Sequence, residues 1–174
     1  INAEYGWYQR RVRGMSEKYR KRVVYEYQNI ENHELDGVYA VPYSEDSYDK
    51  WFGMILGPEG TPYQNGVFIL SIEFNDYPAS PPVIKFETDI YHPNVYTDGR
   101  ICLSILKQSD WSPIINLHTV LTSIRSLLSD PNCDSPANKD AAKIYIYDRH
   151  VFEMKVRQCV EQSLTQKLPI ELKQ

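Results

Sequence analysis

The chain is short of cysteine, of long apolar runs and of net charge, and each shortage removes a class of protein. Cys102, Cys133 and Cys159 are odd in number and irregularly spaced, which suits reduced thiols better than a disulfide framework. With no CxxC pair and no Cys/His cluster, a metal is not expected. No apolar run approaches the roughly 18 residues of a membrane span, and no signal-peptide pattern opens the chain. A soluble protein of the cytoplasm or nucleus, without a membrane partner, is therefore expected. The formal net charge is −4 and the pI about 5.6, so no basic field argues for nucleic acid. Repeats and low-complexity tracts are also missing. The first residue is Ile1 rather than Met, so a natural start further upstream is expected.

What is present suits one globular domain: 174 residues, 42% of them hydrophobic, can bury a proper core. From Val12 to about Glu31, Val12, Met15, Tyr19, Val23, Tyr27 and Ile30 recur every three or four residues, the mark of a helix with one buried stripe. Its other faces gather Arg10, Arg11, Arg13, Lys18, Arg20, Lys21 and Arg22 beside Glu17. Four strand candidates follow, Val38 to Pro42, Lys50 to Leu56, Gly66 to Phe74 and Val83 to Phe86, joined by short turns such as Gly57-Pro58-Glu59-Gly60. The third alternates, Phe68, Leu70, Ile72 and Phe74 on one face and Val67, Ile69, Ser71 and Glu73 on the other. This order predicts an antiparallel meander.

Beyond Pro113 the period becomes helical. Leu117, Val120, Leu121, Ile124, Leu127 and Leu128 share a stripe that ends at Asp130-Pro131-Asn132. Ser135 with Pro136 reads as the N-cap and first residue of a second helix through Ala141, Ala142 and Tyr145. Asp148 can cap a last helix through Phe152, Val156, Cys159 and Val160, and Gln166 to Gln174 reads as a frayed tail. Helix, four-stranded meander, then helices is an α+β arrangement.

One stretch carries chemistry. His92-Pro93-Asn94 precedes Cys102 by eight residues, within Gly99-Arg100-Ile101-Cys102-Leu103, and Trp111-Ser112-Pro113 follows. A thiol beside an amide donor is what acyl transfer through a thioester needs: one attacks a carbonyl, the other steadies the oxyanion. This stretch resembles the active-site signature of the ubiquitin-conjugating enzymes. The resemblance runs from about Met15 to Ser163 and takes in Gly57-Pro58 with Thr61-Pro62-Tyr63, Tyr77-Pro78, Pro81-Pro82, Asp130-Pro131-Asn132 and Ser135-Pro136-Ala137-Asn138. It implies the fold of that family, with an N-terminal extension over residues 1–14, a catalytic core over 15–165 and a tail over 166–174.

The resemblance also implies roles. Cys102 is the expected thioester nucleophile, although a cysteine among aliphatics is in isolation more often a small buried hydrophobe. Cys133 is a bystander at the rim and Cys159 core. Asn94 offers its amide to the oxyanion, or braces its loop. His92 is expected to hydrogen-bond structurally rather than activate the thiol. Asp134 and Ser135 lie at the mouth where many relatives orient the attacking lysine with an acid; Ser135 stands at that position here, and Ser104 stands where several relatives have aspartate.

Partner surfaces follow from the same mapping. Lys18, Arg20, Lys21 and Arg22 match the docking face for the ubiquitin-activating enzyme, against the plainer reading of a solvated helix face. Ala79, Pro113 and Ile114 match the loop tips that meet a RING- or HECT-type ligase, and Thr119, Thr122 and Ser126 match the face that holds donor ubiquitin. The expected activity takes ubiquitin onto Cys102 and passes it to substrate lysines, by a monomer needing no cofactor because ATP is consumed by the activating enzyme. The alternatives are a carrier of SUMO or another modifier, which shares the Val95-Tyr96 and Cys-Leu-Ser-Ile-Leu wording; a non-catalytic ubiquitin-binding variant of the fold; and a cysteine hydrolase pairing Cys102 with His92, His118 or His150.

Overall fold

Glycines, prolines and Asn/Asp pairs cut the chain into elements that the computed structural model describes over residues 17–33, 36–43 and 49–167. Helix α1 spans Glu17–Glu31, β1 Val38–Pro42, β2 Lys50–Leu56, β3 Val67–Glu73 and β4 Val83–Phe86. A short 3-10 turn at Ser104–Leu106 precedes α2 at Leu117–Ser129, α3 at Lys139–Tyr147 and α4 at Arg149–Ser163. The expected start of the first helix, Val12 to Ser16, lies outside the described residues.

The four strands form one antiparallel sheet in the order β1-β2-β3-β4. Register pairs Ala40 with Gly53, Gly53 with Leu70, and Ile72 with Ile84. Period-2 alternation therefore stacks Val38, Ala40, Trp51, Ile55, Phe68, Leu70, Ile72, Ile84 and Phe86 on one inner face, all buried. The stripe Leu117, Val120, Leu121, Ile124, Leu127 and Leu128 of α2 is buried throughout, and Val23 and Ile30 of α1 join it in the core. Removing a branched aliphatic such as Leu121 from this layer costs about 2–5 kcal/mol.

Two local expectations, at Gln166 and Ser135, are corrected. Ile69, on the outer face of β3, is also buried: the chain after β4 lies against it, Thr88 Oγ1 accepting from its N–H at 2.8 Å and its carbonyl accepting from Glu87 N at 2.9 Å. Gln166 is not a frayed end. Its amide donates to Val67 O at 2.8 Å and its carbonyl accepts from Thr88 Oγ1 at 2.7 Å, while Ser163 Oγ accepts from Val67 N, so the end of α4 satisfies β3 backbone that β4 is too short to reach. Ser135 does not cap α3. The cap is Asn138, whose Oδ1 accepts from Ala141 N at 3.0 Å, and the helix begins at Lys139. Asp148 caps α4 as its sequence suggests, accepting from Val151 N at 3.1 Å.

Candidate active site

The stretch from Tyr91 to Cys102 is built backward over the end of β4. Tyr96 and Gly99 close a turn, Gly99 N donating to Tyr96 O at 2.9 Å, and the chain returns through bridges between Val95 and Ile101 and between Lys85 and Arg100. Gly99 has φ +82°, and a Cβ there would lie 2.1 Å from Phe86 O, so only glycine lets this turn sit on β4. The return delivers Cys102, whose N–H donates to Asn94 O at 2.8 Å. Cys102 is half-buried, as are the other two cysteines, and its thiol faces the carbonyl of Ser135 at 3.9 Å. The nucleophile thus sits at the seam between the segment 91–94 and the segment 130–138.

Asn94 joins those segments. It is only 1% exposed, its Nδ2 donating to Asn132 O at 2.7 Å and its Oδ1 accepting from Asn132 N at 2.8 Å. Amide nitrogen carries two protons, and this contact uses one. Asn138 N donates to Pro93 O at 2.9 Å, and Tyr91 Oη to Asp140 at 2.7 Å, which fasten the far end of the seam. Asp134 and Ser135 are both exposed at the mouth, where Asp134 N donates to Asn132 Oδ1 at 3.0 Å.

Among the described residues no histidine is hydrogen-bonded to the Cys102 thiol, whose contact is Ser135 O. His92 is fully buried: Nε2 donates to Leu127 O at 2.8 Å and Nδ1 accepts from Asn94 N at 2.9 Å. Burial lowers its pKa to about 4, the bond to Leu127 partly opposing, so the ring is neutral and both nitrogens are occupied. His118 pairs with Asp36 at 2.9 Å and stacks on His33 with centroids 4.2 Å apart. Cys133 is half-buried; burial and then Asp134 raise its pKa, opposing the thiolate. Cys159 is half-buried rather than core. It lines an outer cavity of about 450 Å³ with Asp89, Tyr91 and Asn138, and its thiol pKa is likewise raised by burial.

A family model described as "Ubiquitin-conjugating enzyme" matches residues 22–160. Among curated relatives, "Ubiquitin-conjugating enzyme E2 1" of Caenorhabditis elegans is 45% identical over 145 residues, 83% of this chain and 74% of its own length. "Ubiquitin-conjugating enzyme E2 3" of Arabidopsis thaliana is 42% identical over 145 residues, 83% of this chain and 95% of its own. The chain belongs to the ubiquitin-conjugating enzyme family. Its helix, four-stranded antiparallel sheet and C-terminal helices agree with the fold of that family.

Within this family member the expected partner surfaces fare unequally. Ala79, Pro113 and Ile114 are exposed at neighbouring loop tips; Trp111 Nε1 donates to Pro78 O at 2.8 Å and Gln108 to Ala79 O at 3.4 Å, which holds those loops side by side. Thr119 and Ser126 are exposed on α2 and Thr122 is half-buried. On α1, Lys18 and Lys21 are exposed, Lys21 paired with Glu17 at 2.7 Å; Arg20's side chain lies outside the described residues. Arg22 is a correction. Its guanidinium is turned inward onto the buried Glu26 and onto the loop before α2, so it is not part of an open basic face. Sequence reasoning missed Glu26, Tyr77, Tyr91 and Asp140. The one available signal was Arg22 and Glu26 four residues apart, a spacing at which opposite charges meet on a helix.

Proposed function

We propose that this enzyme takes ubiquitin onto Cys102 as a thioester and passes it to a lysine amine, with a RING- or HECT-type ligase gathering the partners. The observation that carries the reading is the thiol's placement: partly accessible at the seam, backbone pinned to Asn94 O, beside the exposed Asp134 and Ser135. Cys102 Sγ attacks the thioester that joins ubiquitin to the activating enzyme, and the activating enzyme's own sulfur leaves as thiolate. The incoming acyl group is already activated, which suits a site whose histidine is buried and neutral. A lysine amine then attacks the new thioester, the second Nδ2 proton of Asn94 meets the oxyanion, and Cys102 leaves as thiolate. Ubiquitin is favoured over SUMO because both relatives carry ubiquitin conjugation in their names.

The test is to incubate the protein with ubiquitin-activating enzyme, ubiquitin and ATP and to run reducing and non-reducing gels. A thiol-sensitive band one ubiquitin heavier, absent in Cys102→Ala, is expected. Exclusive loading of SUMO, or no loading of any modifier, sinks the reading.

A further inference from the structure

Arg22 reaches from α1 across the loop that precedes α2. Its guanidinium donates to Glu26 Oε1 and to the carbonyls of Pro113 and Ile115, each at 2.5 Å, and to Tyr77 Oη at 2.8 Å. Glu26 is buried, and besides Arg22 its carboxylate accepts from Tyr77 Oη and, at 2.7 Å, from Leu117 N at the start of α2. A buried carboxylate is tolerated because charge and donors surround it. The two carbonyls that Arg22 grips bracket Ile114, a residue 87% exposed. Tyr77 ties the second tip into the same cluster, its ring 5.9 Å from Trp111.

We propose that Arg22 and Glu26 are positioning residues for ligase-dependent transfer: they fix the backbone on both sides of Ile114, presenting it as a rigid aliphatic knob to an apolar groove on the ligase. This rests on the preceding reading of Pro113 and Ile114 as ligase-facing. An exposed loop must normally surrender backbone and side-chain freedom on binding, and a planar fork that holds it beforehand removes that cost. The tip itself, Ala79, Pro113 and Ile114, carries no charge, so the matching surface is apolar.

The test uses Arg22→Lys, which keeps a cation beside Glu26 but cannot fork to two carbonyls. Ubiquitin-charged enzyme is titrated with a RING domain chosen from a panel because it accelerates wild-type discharge. The concentration for half-maximal discharge should rise about tenfold, with the saturating rate within about twofold. On an Ile114→Ala background the same substitution should add nothing. An equal rise in both backgrounds, or a lowered saturating rate at unchanged half-saturation, overturns the proposal. If Arg22→Lys does not fold, Tyr77→Phe, which removes one bond each from Arg22 and Glu26, replaces it in the same cycle. If wild-type enzyme charges but no RING or HECT domain of the panel accelerates its discharge, the proposal fails while the carrier function stands; if it cannot be charged on Cys102, the carrier function itself fails.

Discussion

His92 and Asn94 stand two residues apart and do different work. His92 is 0% exposed and its folded pKa is held at about 4 against 6.5 in the unfolded chain. Above pH 6.5 both states are neutral and the histidine adds no pH dependence. As pH falls from 6.5 to 4 the unfolded chain takes up a proton that the native ring refuses, so stability is lost, by about 3 kcal/mol at 1.36 kcal/mol per pH unit. Urea unfolding at pH 7 and pH 4.5 should show His92→Gln losing less stability over this interval than wild type; equal losses would rule out the buried neutral ring. Asn94 holds Asn132 by both amide ends, so Asn94→Ala leaves a backbone donor and acceptor partnerless and should cost about 1–3 kcal/mol in thermal unfolding. If its second proton meets the oxyanion, discharge to free lysine should fall by about 10²–10³ while loading falls less; equal losses in both steps would leave only the brace. The spacing of Asn94 and Cys102 was legible in the sequence because it lies within one short return of the chain. The partner of that amide was not, since Asn132 arrives from beyond α2.

At the scale of elements, legibility followed the range of the interaction. The buried stripe of α2 and the inner face of β3 were readable because 3.6- and 2-residue periods are local consequences of backbone geometry. The burial of Ile69 on the outer face of β3 was not readable, because what covers it arrives only after β4. Ser135 was misread because Ser-Pro has the right chemistry for a helix start, yet Asn138 caps the helix and its N–H is already engaged by Pro93 O. The two residues therefore separate by substitution. Asn138→Ala should cost about 1 kcal/mol, and Ser135→Ala should leave thermal stability within about 0.5 kcal/mol. A larger loss from Ser135→Ala than from Asn138→Ala in calorimetry would restore the serine as the cap. A Ser135→Ala change should act instead on lysine discharge, where Ser135 lines the mouth.

Across the whole molecule, charge separates what is built in from what is offered. The sequence groups Arg22 with its basic neighbours because composition cannot tell a cation pointing inward from one pointing out; only the buried Glu26, separated from Leu117 by four strands and a 3-10 turn in the chain order yet hydrogen-bonded to it, decides the matter. Lys18 and Lys21 remain on the outside of α1 of a chain whose net charge is −4, so they form a local positive patch against a negative whole. Such a patch steers an acidic partner mainly through the encounter rate, and its influence weakens as salt rises. If the activating enzyme docks there, Lys18→Glu with Lys21→Glu should slow ubiquitin loading about tenfold at low ionic strength and much less at 0.5 M salt. Discharge of enzyme already charged should hardly change, because the patch lies on α1 and the thiol at the seam beside Asn94 and Ser135. Stability should hardly change either, since the Lys21 to Glu17 pair is exposed and worth at most about 1 kcal/mol. Rapid-quench loading at two salt concentrations checks this: a loading rate that ignores the charge reversal, or a defect that high salt does not relieve, would return α1's outer lysines to the status of a solvated face and move the docking surface elsewhere.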